Sequence, residues 1–539
     1  MIKYPLKLSK KLYNINILLF RFISLKIILE YMKKKQIKYI WLKIGIKSNI
    51  CFFFLTLILA VAAFFAVMTC KSKHSDLFRW LLIAIFVAIC ITWVVPYGYF
   101  NGSTYGEVAM KRIGLADLPS LLYYAAYFGL TTIIYLFILG GFYGILSKTK
   151  SYSALVSKIA KKLKGKETIF MVVTSSVIII LSSLLKSTFA LLVFVPFIVS
   201  ILLSMGQSKL TTFAVTFGSI LAGLCGATYG SDGLYFLNYY MSTELTSGLS
   251  YRAIIAACAL VAYEGLLIFK LTRKSNKKAK EDSSSEVDPY SAVEVKGKVS
   301  TWPIIVVFSI LFVYLVLGYT AWMTNWKIEI FANFHKWITE LKIGKEFTLF
   351  SYILGSGAVE FGKFEITALV SMLMVLSAVV AFMSKFKFQE FLTSFGEGAK
   401  KMLKPVCLFV LVYVVFIVAY TSPFIPAFSN WAFGLTKTFN PYITSVLAFI
   451  TSIFHADLGY TGYAVGGFIN ASYASDITLV QTIYVATYGL AQILMPVSGV
   501  LMVGLSYLKI DYKQWFKYIW MFAAVMFAIL LILATIVYY

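Results

Sequence analysis

Acidic residues are scarce in this chain. In 539 residues, 23 Asp and Glu stand against 49 Lys and Arg, and charged residues make up only 13% of the whole. A soluble domain carries about 25% charged residues, so an ordinary water-exposed surface is excluded for most of this length. Histidine is nearly missing, with only His74, His335 and His455. No HExxH, GxSxG or P-loop spacing occurs, which leaves zinc hydrolysis, serine hydrolysis and nucleotide hydrolysis without a motif. The six cysteines (Cys51, Cys70, Cys90, Cys225, Cys258 and Cys407) lie scattered in apolar runs without CxxC spacing. They read as small core residues, neither a disulfide frame nor a metal site. A filter repeat of the kind a passive channel needs is also missing.

What the chain has instead is apolar length. Hydrophobic residues are 60% of the sequence, gathered in many runs near twenty residues. At about 1.5 Å per helical residue such runs cross a bilayer core of about 30 Å, which predicts a polytopic α-helical membrane protein. The formal charge of +26 would suggest a nucleic acid in a soluble protein. Here most Lys fall in short loops and an N-terminal arm, where the positive-inside rule and anionic lipid account for them. Membrane lipids are therefore the expected surface partner, and nucleic acid is not.

The chain organises itself around the uncharged stretch Leu479–Leu508. Pro496 removes a backbone donor inside it, and Gly489 and Gly499 flank the interruption. A second interrupted stretch, Thr211–Tyr240, carries Gly218, Gly223, Gly226, Gly230 and Gly233 around Thr228–Asp232. Non-helical backbone at membrane depth survives only where protein or a wet cavity satisfies it. Paired broken helices in corresponding places point to the midplane site of a secondary transporter.

In chain order, residues 1–79 form a basic arm plus a candidate extra membrane segment. The first 50 residues hold twelve Lys/Arg against Glu30, Leu18–Met32 suits an interfacial helix, and Cys51–Cys70 suits a span or anchor. Residues 80–271 form a first repeat. It has spans over Trp80–Phe100 and Leu121–Leu146, then a loop, Lys148–Lys166, with seven Lys and no acid. Thr168–Met205 follows as two apolar arms around Ser182–Thr188, either two short spans or a re-entrant hairpin. The first broken segment and a span over Arg252–Leu271 complete this half. Residues 272–300 read as a flexible cytoplasmic linker. Residues 301–539 form a second repeat, with spans over Trp302–Trp322, Thr367–Met383, Val406–Tyr420 and Trp520–Val537. Its other parts are an amphipathic interfacial helix over Trp326–Lys345, a basic loop over Lys385–Lys404, and a candidate hairpin over Pro441–Tyr473. Placing every strongly basic loop inside opens the two hairpins to opposite sides, which is an inverted-topology repeat.

Several pieces are similar to a known family. They are Gly489–Met502 followed by Ile510–Trp515, then Trp93–Gly98, Gly140–Gly144 and Phe395–Met402. Together they resemble the C4-dicarboxylate anaerobic carrier-like family, which has arginine/ornithine antiporter-like members and belongs to the ion transporter superfamily. The resemblance implies two re-entrant hairpins whose tips meet two discontinuous helices, binding small carboxylate-bearing solutes with a coupling ion. Family members carry acidic residues in the first hairpin, where this chain has Lys186. Thr228, Ser231 and Asp232 stand where an Asn is expected.

The fold expected is therefore an all-α transmembrane bundle with inverted repeats, two hairpins and two discontinuous helices. The function expected is ion-coupled symport or exchange of small carboxylate-bearing solutes across the cell membrane. Amino acids come first and C4-dicarboxylates second. A membrane-embedded transferase using His455 and Asp457 is the alternative from another class, and an enzyme is not expected. Candidate substrate contacts are Lys186, Ser187, Thr188, Thr228, Asp457, Gln492 and Ser498. Asp232 and Asp457 are candidates for a coupling ion, Na⁺ or H⁺, with no other cofactor or metal. Each charge here has a plainer reading: Lys186 snorkels or pairs with Asp457 or Asp232, and Asp457 lies in a surface loop. Glu264, inside an apolar span, reads equally as structural pairing or as a proton relay. A homodimer is an assembly the sequence allows.

Overall fold

The computed structural model describes residues 77–109, 112–230, 232–275, 290, 299–343, 347–355, 357–436, 438–455 and 457–539. The expected helix Leu18–Met32 and the segment Cys51–Cys70 lie outside the described residues. Among those described, ten helical segments are long and apolar enough to cross a membrane.

The first half opens with α1 (Leu77–Val94), which stops before Pro96 and hands over to a hairpin of β1 (Tyr97–Asn101) and β2 (Thr104–Val108). The expected span Trp80–Phe100 is thus shorter, because its aromatic end pairs as strands. The expected single span Leu121–Leu146 is two helices, α2 (Leu118–Phe128) and α3 (Leu130–Lys148), meeting at Gly129. An added Cβ there would lie 2.9 Å from the Phe409 ring, so the junction is closely packed. The Lys-rich stretch expected as a loop folds as amphipathic α4 (Lys150–Lys162), capped by Thr149, with Tyr152, Leu155 and Val156 on its buried face. Lys at every few positions hid that face from a reading of charge alone.

The first hairpin consists of α5 (Glu167–Leu184), a tip at 185–188, a 3-10 turn over Phe189–Phe194 and α6 (Val195–Ser204). It is re-entrant. Four residues join α4 to α5, and α6 returns to α4, where the Tyr152 hydroxyl lies 3.1 Å from Ser200 Oγ. The first discontinuous helix runs as α7 (Lys209–Gly226), with a π turn over Ala214–Gly218, and resumes as α8 (Asp232–Met241). Next is α9 (Leu249–Ser275), then α10 (Trp302–Tyr319) beyond the linker.

The linker is anchored at one described point. Tyr290 is buried, its hydroxyl donates to the Gly398 carbonyl at 3.0 Å, and Lys401 Nζ lies 4.9 Å from its ring centre. The expected interfacial helix Trp326–Lys345 is shorter, at Ile330–Glu340, with Trp322–Trp326 forming its own turn and Lys342–Ile343 pairing with Phe347–Thr348.

The second half continues through α11 (Ile366–Met383), amphipathic α12 (Phe388–Lys401), α13 (Leu403–Thr421) and α14 (Phe424–Phe433). Its hairpin is α15 (Pro441–Ser452), a tip at 453–457 and α16 (Leu458–Ser472). The second discontinuous helix is α17 (Ile477–Leu494), an interruption at 495–498, and α18 (Gly499–Tyr507), before α19 (Tyr512–Tyr538). Here α12 replaces an expected loop, and α14 was not expected at all.

Packing repeats in inverted sense. The pair α1–α13 corresponds to α11–α3, α5–α7 to α15–α17, α5–α9 to α15–α19, and α4–α6 to α14–α16. The basic segments gather at one end: Lys148 pairs with Glu397 at 3.3 Å, Tyr290 bonds to α12, and Tyr507 stacks on Tyr290 at 6.2 Å. The feet of the second hairpin meet the other end. Phe468 of α16 packs on Phe100 of β1 at 4.7 Å, and Phe433 stacks on Phe468 at 4.9 Å. The two hairpins enter from opposite ends, as the charge pattern predicts.

Candidate functional site

The first hairpin's tip is bonded to the first break. The Ser183 carbonyl accepts from Thr228 N–H at 3.0 Å and Gly230 N–H at 2.9 Å, with Tyr229 N–H at 3.3 Å. Its hydroxyl donates to Gly226 O at 2.6 Å. A break needs this: its freed amides cannot turn to water, so another backbone must accept them. The carbonyls of Ser182, Ser183 and Leu185 all crowd the Gly230 Cα, where an added Cβ would meet each within 2.9 Å.

Three residues further on, the same segment meets the second hairpin. A Cβ on Gly233 would lie 2.7 Å from Asp457 Oδ1 and 2.8 Å from Leu458 Cβ. From there α8 runs closely along α16, with Gly459, Gly462 and Gly466 against Phe236, Leu237 and Tyr240. One short stretch of chain is therefore clasped by both hairpin tips. The second break touches both hairpins too. Gln492 Nε2 donates to His455 O at 3.5 Å, and a Cβ on Gly499 would lie 3.4 Å from Phe189. The discontinuous helices cross where Gly489 of α17 lies against the backbone of Leu224 and Cys225.

Three helices, α8, α16 and α18, and the turn leading into α6 begin at this meeting point. Four end there: α5, α7, α15 and α17. Helix starts supply partial positive charge, which suits a carboxylate, and helix ends supply carbonyls, which suit a cation or amine.

Of the expected contacts, Thr228 is committed to Ser183: Thr228 Oγ1 donates to Ser183 O at 3.0 Å and lies 3.1 Å from Ser183 Oγ. Ser498 caps α18, its hydroxyl accepting Leu501 N–H at 3.3 Å, which leaves its proton to donate elsewhere. Ser187 is buried and Thr188 half-buried at the first tip, where Lys186 is half-buried and its N–H donates to Tyr319 O at 3.0 Å. Asp457 caps α16 through Oδ1, which accepts Gly459 N–H at 2.9 Å. Asp457 itself keeps accessible surface at the second tip. The hydroxyls of Tyr413 and Tyr488 lie within electrostatic range of it. His455, buried, shares a hydrogen bond of 2.8 Å with Thr461 and stacks on Tyr488. Asp232 opens α8 beside Gly233; its side chain is outside the described residues.

One residue escaped the sequence reading. Arg252 is fully buried at the start of α9 and donates to Thr228 O at 3.1 Å, Leu245 O at 2.6 Å and Ser247 O at 2.5 Å. It stood as the first residue of the expected span Arg252–Leu271, and nothing local signals that it folds inward onto the break.

Comparison with known proteins decides the family. The model of the C4-dicarboxylate anaerobic carrier family matches residues 53–539. The chain belongs to that family. It is a multi-pass membrane transporter and not an enzyme. An uncharacterized protein of Haemophilus influenzae is 23% identical over 167 residues, which cover 30% of this chain and 32% of the relative, so the match spans about a third of that protein. Two solved structures are also similar. The Neisseria gonorrhoeae MtrF structure, described as illuminating a class of antimetabolite efflux pumps, aligns with 87% of this chain and 96% of its own at 12% identity and a TM-score of 0.34. The Alcanivorax borkumensis YdaH transporter aligns with 84% and 97% at 12% identity and a TM-score of 0.35.

Proposed function

We propose that this carrier moves small amino acids by ion-coupled symport or exchange, across the cell membrane, at a site between the two hairpin tips. The observation that carries the proposal is the double clasp on residues 228–233: Lys186 stands at one tip and Asp457 at the other. A zwitterion matches that arrangement. Its carboxylate is drawn to Lys186 and the helix starts, with Ser187, Thr188 and the Ser498 proton as neutral donors; its amine is drawn to Asp457 and the helix ends. Gln492, held on the His455 carbonyl, would fix the second tip against the second break. Asp457, with Asp232 beside it in sequence to Gly233, would also hold a coupling Na⁺ or H⁺ among the carbonyl ends.

A C4-dicarboxylate is the second reading, favoured by the family the chain belongs to. It would place a second carboxylate near Asp457, which is repulsive unless a bound cation neutralises the pair. Uptake of labelled amino acids into proteoliposomes, competed by an unlabelled amino-acid panel and by succinate or malate, separates the two. Inhibition by amino acids, and loss of accumulation with an ionophore, is expected. Inhibition by dicarboxylates alone reverses the substrate order, and accumulation that survives the ionophore refutes the coupling.

A further inference from the structure

Away from the hairpin tips, α9 serves as a rail for the first half of the molecule. It holds the first break through Arg252, meets Gly226 with the Ala256 backbone, and donates the Tyr263 hydroxyl to Ala214 O at 2.8 Å. It also meets the first arm of the hairpin, and there a carboxyl group is buried. Glu264 keeps only 9% of its accessible surface. One oxygen, Oε1, accepts hydrogen bonds from Ser175 and from Ser176, the latter at 3.2 Å. The other, Oε2, is buried and meets neither a donor nor an acceptor among the described residues.

That asymmetry distinguishes the two forms of the acid. A carboxylate shares its charge between both oxygens, and burying one with no donor is strongly unfavourable. A neutral acid accepts at its carbonyl oxygen, here Oε1, and leaves on Oε2 only an O–H without an acceptor, a smaller penalty than an unpaired share of a charge. A metal cation at Oε2 would need several further ligands, and among the described residues no group of three or more His, Cys, Asp or Glu could hold one.

We propose that Glu264 is a proton-binding site, distinct from the site between the tips, which holds α5 on α9 while neutral and releases it on ionisation. The proton leaves Oε2 for water admitted when α5 lifts away, and returns as the arm docks. Because α5 ends at Ser182–Leu184, beside the first break, the proton would be linked to movement of the first tip. This deepens the carrier reading by giving it a proton among its coupling ions. The ionisable groups around the site are few. Tyr263 of α9 and Tyr518 of α19 are within electrostatic range, and Lys270 sits over the Tyr518 ring at 5.5 Å. Among the other elements against α9, α7 brings the Cys225 thiol, α17 brings Tyr484 and Tyr488 and no charge, and α5 carries Glu167 two turns before Ser175. No described cation pairs with Glu264.

Infrared difference spectra of the protein in lipid at neutral pH, native minus Glu264→Gln, test the site without any substrate. The carbonyl stretch of an un-ionised carboxylic acid, lost in the variant, is expected; difference bands of a carboxylate alone would overturn the proposal. Should Glu264→Gln fold poorly, Ser175→Ala/Ser176→Ala serves instead, shifting the same band to higher frequency as its bonds are lost, and an unmoved spectrum would overturn it. Linkage is read from a trapped pH dye in proteoliposomes during uptake of an amino-acid mixture or of succinate. Glu264→Gln should take up solute with at least a twofold smaller proton movement per molecule, and an unchanged ratio overturns the linkage. Failure of both solutes would refute the substrate reading, while the infrared result still decides the proton site.

Discussion

Substituting Gly230 by Ala tests the clasp where it is tightest. The new methyl would lie 2.7 Å from Leu185 O, 2.8 Å from Ser183 O and 2.9 Å from Ser182 O. Carbon and oxygen settle at about 3.3–3.6 Å even in their closest favourable contacts, so the tip must retreat by about 0.5 Å. All three neighbours are backbone, and no rotamer change relieves them. Overpacking of this kind costs about 1–3 kcal/mol. Retreat also stretches the bonds from Thr228, Tyr229 and Gly230 to Ser183 O, each contributing about 0.5–1.5 kcal/mol. A total of about 2–5 kcal/mol shifts the balance between clasped and open arrangements by about thirtyfold or more. Uptake rate and melting in detergent should both fall, while Gly467→Ala, with nothing within 4 Å of the added Cβ, should leave both unchanged. Native uptake and melting in Gly230→Ala would refute the clasp.

Arg252→Gln should lower the melting temperature and the yield of folded carrier, because it strips donors from the carbonyls of Thr228, Leu245 and Ser247, each costing about 1–3 kcal/mol if left unpaired. Arg252→Lys should recover little, since an ammonium cannot reproduce the fork; native melting in either variant would contradict this role. Cysteines placed at Lys161 and Lys400 in a cysteine-free background should resist an impermeant maleimide in intact cells and react in inverted vesicles. Labelling of either from outside would overturn the shared orientation of the basic end.

The architecture was legible because hydropathy and charge act over long stretches. Pro496 and the run from Gly218 to Gly233 marked both breaks, and the Lys-rich stretches marked one end of the molecule. Amphipathic helices α4 and α12 hid behind their lysines, since a half-buried helix in a charged stretch lowers mean hydropathy to that of a loop. The β1–β2 hairpin was passed over although Gly102, at φ +59°, and Ser103 form its two-residue loop, a local signal; β1 also meets Pro423 and Phe468, far along the chain. At the site, residue types were legible but commitments were not. Thr228 was expected as a substrate donor, and its hydroxyl is taken by Ser183; Arg252 was passed over, and it holds the break. Only tertiary packing assigns such bonds.

The central claim is that both repeats contribute to one solute site. Lys186 belongs to the first hairpin and Ser498 to the second break, so their alanine variants remove contributions from opposite halves. Apparent Km for the solute that wins the competition should be measured for Lys186→Ala, Ser498→Ala and the double variant. Loss of the neutral donor at Ser498 should raise Km several-fold, in keeping with about 0.5–1.5 kcal/mol for one hydrogen bond. Loss of Lys186 should raise it further, because a charged partner goes with it. The account predicts a double variant with a Km above either single variant at unchanged amounts in the membrane; a double variant with native Km would contradict it.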